Sequence, residues 1–289
     1  MRIVNLIEDT KGASGCAFAH GLSFYVETEK HRLLVDLGPS GETLQNAERL
    51  GVDLRAVDTV VLSHGHYDHS GGILPFTEIN DHADIYMQST AGGEYYADDG
   101  ADAPNGRYRY IGIDPRILKL PQVKLLHGDH TIDEELELIT IDQRTHALPS
   151  VNRNLLVRRD GGYVRDDFAH EHFLVVKENG RKVLLSGCAH NGILSILDAY
   201  AEKCGGAPDA VVSGFHLMKK TPYDDEELAE IAEIARKLRE YPTRFYSCHC
   251  TGLTAFEIMK EICGEQLTYV HSGEELALDD PAAAEQWER

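Results

Sequence analysis

Apolar residues fall along the chain in short runs, some alternating with polar residues and others spaced by three and four. Residues 3–7, 22–27 and 32–37 predict strands, the third closing at Asp36-Leu37-Gly38. Residues 42–50 predict a short helix that stops at Gly51, where a left-handed residue carries no Cβ penalty. The run 59–63 reads as a buried strand and delivers the chain directly into His64. Residues 85–87 predict one more strand.

The stretch 91–130 has no sustained period and is rich in Gly, Asp and Tyr, so an irregular insertion or lid is expected there. Strands resume at 136–141, 173–177, 182–185, 210–213 and 243–247. Helices are predicted over 193–203, ending at Gly205-Gly206, and over 254–263, before Gly264. A third, over 224–240, places Leu228, Ile231, Ala235 and Leu238 on one stripe opposite charges. This order predicts an α/β protein of two similar halves, sheets inside and helices outside. A single domain is expected over 1–275, then an acidic tail over 276–289.

Composition narrows the partners more than the fold. With 289 residues, 42% hydrophobic and 26% charged, the chain can bury one large core. Its 48 acidic and 28 basic residues give a net charge of −20, a field that repels nucleic-acid phosphates and anionic membranes. A small-molecule substrate is therefore expected, with no nucleic acid and no membrane as partner. No apolar run approaches the ~20 residues that span a bilayer, and residues 1–9 lack the basic-then-apolar order of a signal peptide. A cytoplasmic protein is expected, and a homodimer through an exposed sheet edge is the assembly considered. Six cysteines show neither a disulfide framework nor paired CxxC knuckles, and most are expected to be reduced core residues.

The chemistry is concentrated in Ser63-His64-Gly65-His66-Tyr67-Asp68-His69-Ser70-Gly71-Gly72. In an extended segment, side chains two apart project to the same side, so His64 and His66 can grip one cation together. After a turn, Asp68 and His69 can present a carboxylate oxygen and an imidazole to a second. Burying this set at a strand end without a metal would leave several polar groups unpaired. Mixed imidazole and carboxylate donors suit zinc first, with manganese and iron as alternatives, and two divalent ions are expected.

His-x-His-x-Asp-His after an apolar strand resembles the signature of the metallo-β-lactamase fold, which implies a four-layer αββα sandwich. His20-Gly21-Leu22-Ser23, Ser186-Gly187-Cys188-Ala189-His190, Gly214-Phe215-His216-Leu217 and Cys248-His249-Cys250-Thr251-Gly252 extend the likeness. They resemble one branch of that superfamily, the archaeal 7,8-dihydropterin-6-methyl-4-(β-D-ribofuranosyl)aminobenzene 5'-phosphate synthase-like proteins.

The resemblance implies further ligands at later strand ends. His249, after strand 243–247, is assigned to the second ion. Many relatives carry a bridging aspartate after the glycine of the 182–185 strand; here Cys188 stands in its place, as a ligand or as a small buried residue. His190 is favoured as third ligand of the first ion, with His172 competing. His216 is a candidate for orienting substrate or relaying protons, or a structural histidine. Tyr67 is expected to pack, with contact to substrate as the alternative, and His20 precedes a strand, with no role at the pocket assigned to it.

Two ions about 3.5–4 Å apart can activate water and polarise a carbonyl or phosphoryl group, with Asp68 positioning the nucleophile. Hydrolysis of a small phosphorylated or acyl substrate is the first expectation. A synthase-like transfer with a phosphate leaving group is the alternative, and a mononuclear iron dioxygenase a further one. Arg107, Arg109, Arg153, Arg158, Arg159, Lys219 and Lys220 are the cations available to a phosphate, each otherwise an exposed solubilising charge.

Overall fold

A computed structural model describes residues 1–278. The first sheet is built from β1 (Arg2–Ile7), β2 (Ser23–Glu27), β3 (Arg32–Val35), β4 (Thr59–Val61), β5 (Asp84–Gln88) and, beyond β6 (Tyr95–Asp98) and β7 (Tyr108–Tyr110), β8 (Val123–Leu126). Its order is β1-β2-β3-β4-β5-β8, antiparallel as far as β3 and parallel from there on. The second sheet takes β9 (His130–Thr131), β10 (Leu136–Ile139) and, after β11 (Leu155–Arg159) and β12 (Gly162–Arg165), β13 (Phe173–Glu178), β14 (Arg181–Leu185), β15 (Ala210–Ser213), β16 (Arg244–Ser247) and β17 (Leu267–Tyr269). From β9 inward it also changes from antiparallel to parallel, the switch falling at β14.

Strand alternation assigns the layers. Leu33 and Val35 of β3 face Leu174 and Val176 of β13 between the sheets, while Leu34 turns the other way. Phe173 and Val175 face outward onto α4 (Ile193–Cys204), α5 (Asp225–Leu238) and α6 (Leu253–Cys263). On the opposite side α1 (Glu42–Arg49) packs on β1. Helices outside two sheets make the four-layer sandwich expected from the resemblance.

Three expectations change. The stretch 91–130 is not wholly irregular: β6 and β7 join β11 and β12 in a four-stranded sheet of order β12-β11-β6-β7. Its partners come from residues 155–165, so no local period announces it. Leu228 is 37% exposed, whereas Ile231, Ala235 and Leu238 are buried. Glu227 is buried in the first turn instead, closing a capping box with Asp224 and pairing with Lys219 and Arg153. Residues 276–278 also belong to the body, not to a tail: Leu276 is buried and its N–H donates to the Ile3 carbonyl at 2.9 Å. The rest of the expected tail lies outside the described residues.

Candidate metal centre

The donor residues all follow strand ends. His64 and His66 come after β4, Cys188 and His190 after β14, His216 after β15 and His249 after β16. Four residues in these connections hold left-handed backbone without being glycine: Asp36 at φ 60°, Ala189 at 53°, His216 at 46° and His249 at 50°. Such conformations are costly, and here they turn side chains from the sheet ends into a common space.

Hydrogen bonds fix the first group of imidazoles. The Ser63 hydroxyl donates to Asp36 Oδ2 at 2.7 Å, so it can only accept from His64 Nδ1–H, at 2.8 Å. Asn152 Nδ2 donates to the His190 carbonyl at 2.7 Å, which leaves its Oδ1 to accept from His190 Nδ1–H at 3.0 Å. Both Nε2 atoms are thereby left with lone pairs, and they face each other 3.3 Å apart. His66 completes a triad of ligand atoms lying within 4.8 Å of one another, and its buried Nε2 has no partner. Burial, then the neighbouring imidazoles, holds His64 and His190 well below the usual histidine range; His66 falls to about 3. Burial thus disfavours a proton between these facing lone pairs, and a cation there would satisfy both.

A second group adjoins it. Asp68 Oδ2 lies 3.6 Å from the Nε2 atoms of both His69 and His249. His69 Nδ1–H donates to Asp36 at 2.6 Å, and His249 Nδ1–H donates to Asp9. Burial opposes a charge on either imidazole. The carboxylates Asp36 and Asp68 nevertheless raise His69, and the Cys250 sulfur with Asp68 and Asp9 raises His249. Asp68 itself is held below the carboxylate range against burial by His69, His249 and His20. Cys188 stands between the two groups: its Sγ is 3.1 Å from His69 Nε2, and it shares donor triads with His64 and His69 and with His190 and His216. His216 keeps a buried Nδ1 without a partner.

His172 is not among these donors. Its Nε2–H donates to the Leu62 carbonyl at 2.8 Å and its Nδ1 accepts from Gln88 at 3.2 Å, so both nitrogens are committed. The whole His170-Glu171-His172 segment braces the donor loops. His170 Nδ1 accepts from the Gly65 N–H at 2.9 Å, while Glu171 accepts from the backbone of His190 and Asn191 at 2.7 and 2.9 Å. Sequence reading also missed Asp9, Asp36, Ser63 and Asn152 as the partners that aim the imidazoles. Asp9 and Asp36 follow strands β1 and β3 closely, the one signal that could have marked them.

The donors open into a cavity of about 530 Å³. Tyr67 is 39% exposed and lines it, contrary to the packing expected. His20 lies at the same wall, with Nδ1 2.8 Å from Asp9 and Nε2 3.6 Å from Asp68. Ala97, Arg109, Ile111 and Leu155 bring the four-stranded sheet and its flanks to the cavity wall. Of the cations considered, Arg107, Arg153, Arg158 and Arg159 form ion pairs and do not line the cavity. Arg109 pairs with Asp99 and Lys219 with Glu227 at its rim. Lys220 lines the rim and, among the described residues, forms no ion pair.

A four-layer sandwich with His-x-His-x-Asp-His at a strand end defines a metallo-β-lactamase-fold protein. Residues 18–152 match the family model of the Metallo-beta-lactamase superfamily, and the chain has the fold of that superfamily. It is similar to 7,8-dihydropterin-6-methyl-4-(beta-D-ribofuranosyl)-aminobenzene-5'-phosphate synthase of Methanocaldococcus jannaschii, 27% identical over 94% of this chain and 95% of that one. The crystal structure of Tm1679, a metal-dependent hydrolase of the beta-lactamase superfamily, superposes with a TM-score of 0.79 and 29% identity, covering 97% of this chain and 100% of that one. Zinc-bound PqqB from Methylobacterium extorquens shares the fold, with a TM-score of 0.56, 14% identity and coverage of 96% and 99%. No helix among the described residues is long and apolar enough to cross a membrane.

Proposed function

We propose that the chain is a dinuclear metal-dependent hydrolase of a small phosphorylated or acyl substrate. The observation that carries this reading is the pair of bare Nε2 atoms of His64 and His190, 3.3 Å apart in a buried, proton-poor setting. His64, His66 and His190 would hold one ion; Asp68, His69 and His249 the other, with Cys188 between them. Zinc suits this donor set first. Two bound divalent ions would supply an activated water and polarise the scissile carbonyl or phosphoryl oxygen.

The protein's own groups have separate tasks in this account. Asp68, held ionised, would position the attacking water while remaining a ligand. His216, with an uncommitted ring nitrogen at the cavity wall, takes or returns a proton at the leaving oxygen. Lys220 attracts an anionic substrate, with Arg109 and Lys219 beside it. The four-stranded sheet acts as a lid that limits water entry.

The similarity to the synthase over 94% of the chain favours a second reading, transfer of a group with a phosphate-bearing leaving group. One experiment separates the two. Zinc-loaded protein is assayed against phosphodiester, lactone and thioester substrates, and separately against a dihydropterin donor with a ribofuranosyl-aminobenzene phosphate acceptor. Turnover of the first set that disappears in H66A and H190A supports hydrolysis. Turnover of only the pterin pair supports transfer, and none from fully loaded protein in either set contradicts both.

A further inference from the structure

The Cys248-His249-Cys250 segment contains two thiols that the alternation of the chain sends in opposite directions. Cys248 is fully buried in the apolar layer between the sheets. Cys250 lines the cavity instead. Its Sγ, the Cys188 Sγ and a ring nitrogen of His249 all lie within 4.8 Å of one another. His249 is fully buried and its Nε2 has no hydrogen-bond partner, so this group contains a donor nitrogen without another occupation.

The surroundings of Cys250 fit a sulfur that carries charge. The backbone N–H of His216 donates to Sγ at 3.3 Å, as it would to a thiolate, whereas the Cys188 carbonyl, 3.6 Å away, accepts from the protonated thiol. Gly214 leaves the room: a Cβ there would come within 2.5 Å of the same sulfur. Packing alone would not need an N–H donor aimed at the sulfur or an opening to the cavity.

We propose that Cys250 is a metal-ligating thiolate, which with Cys188 gives the histidine–carboxylate centre a two-sulfur side. The proposal rests on the dinuclear reading above. Each thiol that ligates loses its proton to solvent as the sulfur–metal bond forms. Two thiolates beside imidazoles favour borderline and soft ions such as zinc, cobalt or ferrous iron, and disfavour magnesium, calcium and manganese. Metal selectivity would then reside in Cys188 and Cys250, since imidazole and carboxylate alone accommodate manganese.

The test is reconstitution of metal-free full-length protein with cobalt(II), read by absorption and by bound metal. The expected spectrum has a near-ultraviolet thiolate-to-cobalt charge-transfer band. It weakens in C188S and in C250S and vanishes in the double variant, whereas H66A lowers the cobalt count and keeps the band. Two cobalt ions without that band would overturn the sulfur assignment and leave the dinuclear reading intact. A band unchanged in C250S would overturn the role of Cys250. Failure of the wild type to bind cobalt would overturn both. Because C250S can fail to fold, X-ray absorption of the wild-type zinc protein decides independently: a Zn–S shell near about 2.3 Å with two sulfurs per chain is expected, and one sulfur or none contradicts the proposal.

Discussion

The Nε2 atoms of His64 and His190 face each other at 3.3 Å, each with its Nδ1 proton already committed, to Ser63 and to Asn152. Two lone pairs at that separation repel, and burial disfavours the protonation that would relieve them. Removing metal with a chelator is expected to lower the unfolding midpoint, because a ligand at 100 times its Kd contributes about 2.7 kcal/mol. H190A should destabilise the metal-loaded protein more than the metal-free one, where it also removes the repulsion. Thermal unfolding with and without chelator checks this; equal losses in both forms would count against a shared cation.

Asp36 serves both groups at once, through Ser63 to His64 and directly to His69. D36N keeps the shape but exchanges an acceptor oxygen for a donor. Loss of such an outer partner typically weakens metal affinity about 10–100-fold. Competition titration with a chromophoric chelator should show that weakening, with stoichiometry restored at saturating metal.

Gly187 lies against this relay, where a Cβ would overlap the Ser63 hydroxyl and crowd Asp36 Oδ2. G187A is therefore expected to lower both metal content and stability, the latter by about 1–3 kcal/mol as for overpacking in a core. A variant with unchanged urea midpoint and unchanged metal content would show that the relay tolerates displacement.

His31 gives a pH prediction away from the centre. Its ring bridges Asp58 at 2.9 Å and Asp133 at 2.6 Å. Burial opposes the charged form, but the two carboxylates prevail and raise its pKa. A raised folded-state pKa stabilises fully below the unfolded value of about 6.5, and that stabilisation is lost as pH rises through the higher folded value. The wild type minus H31Q difference in urea midpoint should accordingly shrink on going from pH 6 to higher pH. A difference that grows with pH would reverse the assignment.

Lys220 is the cavity cation without an ion pair among the described residues. K220E should raise KM for a phosphorylated substrate by up to about fivefold, the range of an exposed charge contact, and leave kcat and thermal stability unchanged. A parallel fall in kcat would place Lys220 nearer the reacting atoms.

Much of this architecture was legible in the sequence because the elements that build the two sheets carry strong local periods. β15 over Ala210–Ser213 coincides with its predicted run, and His64 follows β4 as the apolar stretch implied. The edges were not legible. β9 has two residues, and the local pairs β6–β7 and β11–β12 form one sheet only through β6 against β11, with Tyr95 opposite the distant Val157. For the centre, the clustered histidines announced themselves, whereas the choice between His190 and His172 depended on which ring nitrogens were already occupied by Leu62 and Gln88. Asp36, Asn152 and Asp9 act through single hydrogen bonds closed by the tertiary fold, and a spacing pattern cannot register those.

The most direct test of the two-metal account is the metal content of reconstituted protein, measured for wild type, H190A, H249A and H172A after removal of loose metal. The account predicts two ions per chain in wild type and H172A, and about one fewer in each of H190A and H249A. Loss of metal in H172A equal to that in H190A, or no bound metal in wild type, would contradict it.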